Sequence, residues 1–200
     1  MTVAETETES LDTLLQQVRA CRLCETHLPL GPRPVVQISA TARVLLIGQA
    51  PGTKVHASGR PFTDPSGDRL RDWMGIDKDT FYDANRLCIM PMGFCYPGTL
   101  PRGGDAPPRP ECAPEWHDRL RAQMPAVELT LLVGQYSQRR YLKGRAAKTL
   151  TETVRRFRDV SPALLPLPHP SWRNTAWMKK NPWFEEEVVP HLRARMADLL

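Results

Sequence analysis

The run ARVLLIGQAPG, residues 42–52, joins two kinds of sequence. Val44, Leu45, Leu46 and Ile47 form a short continuous apolar stretch, the pattern of a strand buried on both faces, as in a parallel sheet. Gly48 to Gly52 then places two glycines and a proline within a pentapeptide that carries no charge. That combination predicts a tight turn whose backbone comes close to something. Open α/β sheets bind ligands at the carboxyl ends of their strands, so this strand-then-turn is expected to form the floor of a pocket.

The pattern repeats outward along the chain. RLCIMPM (86–92), VELTLLVG (127–134) and ALLPLP (163–168) read as three further strands. Between them lie helical segments. SLDTLLQQVRAC (10–21) has an apolar stripe at Leu11, Leu14, Leu15 and Val18 behind the cap Ser10, and PSGDRLRDWMG (65–75) runs from a Ser–Asp cap pattern to a glycine stop. APEWHDRLRAQM (113–124), YSQRRYL (136–142), TLTETVRRF (149–157) and a terminal WFEEEVVPHLRARMADLL (183–200), interrupted by Pro190, complete the set. Strands alternating with helices predict an α/β fold with a parallel sheet. Three loops follow strands: GQAPG, GFCYPG (93–98) and HPSWRN (169–174), and together they predict one site at one sheet edge.

The chain has 200 residues, 41% of them hydrophobic and 24% charged, which suits one domain over 1–200, with 1–9 expected as a flexible tail. A net charge of +5 permits a polyanionic partner and equally suits a solvated basic surface. No secretory, transit or membrane-spanning pattern is visible, so a cytoplasmic protein is expected. Its five cysteines are then expected as thiols or metal ligands rather than disulfides. Many of the 20 prolines fall in three stretches, which predicts long but ordered loops.

Cys21 and Cys24 stand at CxxC spacing, and Cys95 and Cys112 follow in proline-rich loops. Four thiolates from two distant segments suit a zinc site or an iron–sulfur cluster; a lone CxxC beside buried thiols is the alternative. Cys88, inside a strand, reads as a core thiol. In GRPFTDPSGDRL (59–70), Phe62 sits among Gly and Pro, where a base-stacking platform is one explanation. Asp64 either orients water beside a ligand or caps the following helix. His169 is held between two prolines and can donate to a developing anion, or is a surface histidine in a stiff loop. Arg173, Asn174, Lys179 and Lys180, mixed with Trp172, Trp177 and Trp183, suit contacts to single-stranded nucleic acid.

Taken in order, CRLC, VLLIGQAPG, GRPF and HPS resemble the uracil-DNA glycosylase superfamily, and within it the iron–sulfur branch called family four. The resemblance runs from about residue 18 to 195. It implies a three-layer αβα domain around a four-stranded parallel sheet, and a base extruded from DNA into a pocket at the strand ends. Carried over residue by residue, Gly48, Gln49, Ala50, Pro51 and Gly52 line the pocket and position water. Phe62 stacks on the base, and His169, Pro170 and Ser171 reach the base carbonyl and the DNA backbone. Cys21, Cys24, Cys95 and Cys112 match the ligands of a [4Fe–4S] cluster. Three positions depart from the family. Gln49 and Ala50 stand where an acid is usual, Pro91 stands where an asparagine usually reads the uracil edge, and FTDPSGD is one residue shorter than a related acidic motif, which assigns the acid's role to Asp64. The function implied is hydrolysis of the N-glycosidic bond of uracil or another altered base in DNA, single- or double-stranded, by a monomer. The alternative is a nucleic-acid-binding iron–sulfur protein on the same fold.

Overall fold

The computed structural model describes residues 9–200. Residues 1–8 of the expected tail lie outside that range. Glu9 is tied down, its carboxylate 2.9 Å from Arg119 and its carbonyl accepting from Gln123 at 2.8 Å.

Four strands, β1 (Val44–Ile47), β2 (Leu87–Ile89), β3 (Leu129–Val133) and β4 (Leu164–Leu167), form one sheet in the order β2-β1-β3-β4, every neighbouring pair parallel. The first three strands are buried at every position, which is why they read as unbroken apolar runs. One face packs Val44, Leu46, Leu131 and Leu167 against Leu70, Trp73, Phe184 and Leu192. The other packs Leu45, Ile47 and Leu132 against Leu14, Val18, Trp116 and Leu120. The result is three layers, helix, sheet and helix, as the sequence predicts. Each large apolar side chain fully buried here contributes about 1.5–3 kcal/mol, so both faces are needed.

The helices are α1 (Leu11–Ala20), α2 (Thr53–Ser58), α3 (Pro65–Met74), α4 (Lys78–Tyr82), α5 (Cys112–Ala122), α6 (Gln135–Leu142), α7 (Leu150–Arg155), α8 (Thr175–Lys180) and α9 (Val189–Leu199). The caps follow sequence logic. Ser10 accepts from Thr13 N–H, and Thr149 with Glu152 closes a capping box. Pro190 sits in the first turn of α9, and the terminal segment is interrupted next to it, as expected from a residue that cannot donate to the preceding turn. The irregularity lies just before it, in a π-helical turn over Phe184–Val188. The short helices α2, α4 and α8 have too few turns to show a periodic stripe.

The strand order fixes the position of the site. The chain leaves β1 for β2 on one side and returns past β1 to β3 on the other, so the direction of winding reverses between β1 and β3. The crevice beyond their carboxyl ends is where such sheets take ligands.

Candidate active-site cleft

At that crevice lies an open cleft lined by Gly48, Gln49, Ala50, Pro51, Gly52, Phe62, Asp64 and His169. Every residue predicted for the pocket from GQAPG and GRPF is therefore gathered in one place. Pro91, Asp105, Val35 and Ser66 complete the wall.

The floor is knitted by backbone. Met92 N–H donates to Gly48 C=O and Gly93 N–H to Gln49 C=O, at 2.9 and 3.0 Å. These carbonyls are thus turned toward the segment after β2. Phe62 forms one wall. Its ring lies over Gly48 so closely that a Cβ there would stand 3.3 Å from the ring. Phe62 holds φ at +53°, rare for a residue with a side chain, and neighbours fix it. Tyr82 Oη donates to the carbonyls of Pro61 and Phe62 at 3.0 and 3.1 Å. Gly67 makes room for the Phe62 carbonyl, since a Cβ at 67 would lie 2.0 Å from that oxygen.

Asp64 does both things the sequence allows. Its Oδ1 accepts from Gly67 N–H at 3.2 Å and from the Ser66 hydroxyl at 2.5 Å, capping α3, while the residue also lines the cleft. His169 follows β4 and packs on Gly134 at the end of β3. Ser171 N–H donates to His169 Nδ1 at 3.2 Å, so the neutral ring carries its proton on Nε2. Burial pushes the His169 pKa down, partly opposed by the Asp64 carboxylate, and the ring stays neutral near pH 7. The loop is braced from behind. Asn174 Nδ2 donates to His169 C=O at 2.7 Å, and Arg69 Nη1 donates to Ser171 C=O at 3.1 Å and to Pro170 C=O at 3.4 Å. Pro170 backs the loop rather than lining the cleft, and Ser171 lies at its outer mouth.

The mouth opens toward Lys54, Trp172 and Arg173, with the Trp172 ring 71% exposed. Arg173 rests on the Gly103–Gly104 turn. Lys179 and Lys180 are exposed at the end of α8 and do not line the mouth. Trp177 and Trp183, read in the sequence as companions of these cations, are packed instead: Trp177 stacks edge-on against Trp183 and Phe184 and donates to Thr151. Trp177, on α8, and Trp183 beyond it pack against the core rather than toward solvent.

Cys21, Cys24, Cys95 and Cys112 surround a second hollow, separate from the cleft. Cys21 caps the end of α1, Cys24 starts a 3-10 turn, Cys95 follows β2 and Cys112 begins α5. The remaining wall is mainly apolar, from Leu23, Leu28, Pro32, Pro34 and Phe94, with Arg109 at hand. Burial pushes the Cys95 thiol up to about 11 and Cys112 to about 12. Among the described residues no three such side chains converge on a single metal ion. Together the four thiols line one hollow. Trp116 also lines it, and its buried indole N–H has no acceptor among the described residues. A cluster sulfur would supply one, so the residues fit the group. Cys88 is a core thiol, fully buried in β2 and bonded to the backbone of Ser39.

Two residues, one in the cleft wall and one buried behind it, were not foreseen. Asp105 sits in a Gly/Pro-rich loop where nothing in the local pattern marks a side chain as inward-facing. His117 is fully buried on α5, its Nε2–H donating to Pro91 C=O at 3.1 Å and its Nδ1 accepting from Tyr141 Oη at 2.6 Å. A histidine on the apolar face of a predicted helix was the only available signal.

Comparison with known proteins agrees with this geometry. Residues 35–193 match the Uracil DNA glycosylase superfamily. A 128-residue stretch, 62% of the chain, is 26% identical to the Type-4 uracil-DNA glycosylase of Archaeoglobus fulgidus. That stretch spans 59% of the relative's length.

Proposed function

The chain belongs to the uracil DNA glycosylase superfamily, and from that premise we propose that it hydrolyses the N-glycosidic bond of uracil or another deaminated or damaged base in DNA. The observation that carries the proposal is the gathering of Gly48–Gly52, Phe62, Asp64 and His169 into one cleft at the winding switch of the sheet.

Breaking the bond develops positive charge on the sugar and negative charge on the leaving base. A flipped base loses a few kcal/mol of stacking and pairing, which the pocket must return. Phe62 offers a ring to stack on. His169, neutral with its proton on Nε2, donates to the base carbonyl oxygen as the anion forms, a charge stabilisation that needs no proton transfer. Asp64, with Oδ1 engaged in capping, offers its other oxygen to the sugar cation. Gln49 cannot accept a proton; its Nε2 donates to Ala106 C=O at 3.3 Å, fixing the loop across the cleft. Lys54, Trp172 and Arg173 at the mouth, with Asn174, Lys179 and Lys180 beyond it, are the proposed DNA contacts. The cleft residues named here all come from one chain, and the proposed enzyme acts as a monomer.

Cys21, Cys24, Cys95 and Cys112 would hold a [4Fe–4S] cluster. When bound, the cluster would supply a cross-link between α1, the loop after β2 and the start of α5. Zinc held by the same four thiols is the alternative.

The test is single-turnover base release from oligonucleotides carrying one deoxyuridine, deoxyinosine or deoxyxanthosine, single- and double-stranded, with iron, sulfide and zinc analysis of anaerobically purified protein. Release of at least one base is expected. A second reading, a nucleic-acid-binding protein without glycosylase activity, is favoured by Gln49 and Pro91 at positions where the family resemblance expects an acid and an asparagine. DNA binding without release from any substrate would establish it.

A further inference from the structure

The turn after β1 lacks an acid, yet the cleft does not. Asp105 lines both the cleft and its mouth, beside Asp64 and His169. It arrives from the opposite side, in the loop between β2 and α5. Its Oδ2 lies over Gly52, 3.7 Å from where a Cβ on that glycine would stand. The carboxylate therefore reaches across to the turn that Gln49 occupies.

The position is built. Asp105 pairs with Thr99 in an antiparallel bridge, Ala106 N–H donates to Gly98 C=O at 2.8 Å, and Leu100 N–H donates to Gly104 C=O at 2.8 Å. Gln49 grips the next carbonyl, that of Ala106. Gly103 and Gly104 have φ of +81° and +96°, and a Cβ on Gly104 would stand 2.2 Å from Arg173 Nη1. The guanidinium thus lies flush on this turn beside Asp105, joining the two lips of the cleft. The groups facing Asp105 are Asp64 from the start of α3, Lys54 from α2, and His169 and Arg173 from the loop after β4. Burial of its inner side and the Asp64 charge push the Asp105 pKa up, while Arg173 pulls it down. A carboxylate so placed is a better proton acceptor than one free in water.

We propose that Asp105 is the carboxylate that orients and deprotonates the attacking water, in place of the acid absent from position 49. The inference rests on the glycosylase reading above. As the C1′–N bond breaks, its electron pair leaves on the base. The water oxygen bonds to C1′, and the water proton passes to Asp105. The base anion, held by His169 Nε2–H, is protonated from solvent on release. Gln49 is then a positioning residue that holds the acid-bearing loop.

The experiment compares wild type, Asp105→Asn, Asp105→Glu and Asp64→Asn in single-turnover release from the deoxyuridine, deoxyinosine and deoxyxanthosine oligonucleotides across pH. DNA affinity and thermal midpoint are measured alongside. Asp105→Asn is expected to lose about 10²–10⁴-fold in rate with affinity and midpoint unchanged. Wild type is expected to lose rate on acidification, and that fall should vanish in Asp105→Asn, persist in Asp64→Asn, and return with part of the rate in Asp105→Glu. An Asp105→Asn rate within about threefold of wild type, with the same acid limb, overturns the inference and leaves the glycosylase reading standing. A rate loss matched by equal loss of affinity or midpoint also overturns it, making the residue structural. A wild type inert on every substrate removes both.

Discussion

His117 gives the sharpest quantitative expectation. Its ring is stacked 5.6 Å from Phe94 and fully buried, its Nε2–H is spent on Pro91 C=O, and its Nδ1 accepts from Tyr141. A second proton on Nδ1 would place a charge on a ring that solvent does not reach. Burial accordingly pushes its pKa down from 6.5 to about 4. In the unfolded chain the imidazole takes up a proton below about pH 6.5, whereas in the folded chain it stays neutral until about pH 4. Between those values the unfolded state binds more protons, so the stability contributed by neutral His117 is complete above about pH 6.5 and is lost as pH falls toward 4. The difference of about 2.5 units corresponds to roughly 3 kcal/mol in full, of which about 2 kcal/mol is lost between about pH 7 and about pH 5. His117→Gln keeps one donor and one acceptor and cannot titrate. Urea unfolding of both proteins at the two pH values isolates this term, because His169 and His191, also lowered by burial, contribute equally to each. Wild type should lose about 2 kcal/mol more than the variant on acidification. Parallel losses, or a His117 ring that titrates near 6.5 by NMR, would refute the burial argument.

Other expectations follow from the same geometry. Gly67→Ala drives a methyl into the Phe62 carbonyl and should cost about 1–3 kcal/mol in urea unfolding, with Phe62 displaced from Gly48. Replacing any of Cys21, Cys24, Cys95 or Cys112 with Ser should remove iron and lower the thermal midpoint, while Cys88→Ser keeps the iron; loss of iron from Cys88→Ser would show the ligand set to be wrong. Lys179→Ala with Lys180→Ala should weaken DNA binding at low salt and flatten the log–log salt dependence by about 2; an unchanged slope removes both from the interface. Trp172→Ala should leave stability within about 0.5 kcal/mol, since the ring is 71% exposed, yet weaken duplex binding in a fluorescence titration.

The sheet was legible because its strands are buried on both faces and so carry the plainest pattern a chain can show. GQAPG announced its place because a glycine turn after a buried strand has few other uses. The thiol set could be read from type and spacing. The facing loop could not: Asp105 earns its place through pairing with Thr99 and the grip of Gln49, contacts between segments far apart in sequence. Asp64 was ambiguous for a physical reason, since one carboxylate has two oxygens and the chain uses one for the helix. Trp177 and Trp183 misled because an aromatic among lysines looks the same whether it faces solvent or the helix behind it.

Pro91 has a consequence for fidelity. It is buried in the cleft wall, has no N–H to offer, and its carbonyl is already taken by His117. The wall it forms therefore asks nothing of a base edge except that it fit. A pocket that must hydrogen-bond its substrate rejects analogues by about 10⁴–10⁵, whereas an apolar wall that sorts by size separates neighbours by about 10–200-fold. On the proposed reading this enzyme is a sieve rather than a reader at that edge, tolerant of several altered bases of similar shape. Discrimination against normal DNA would then lie in how readily a weakened pair opens, before the base reaches the pocket.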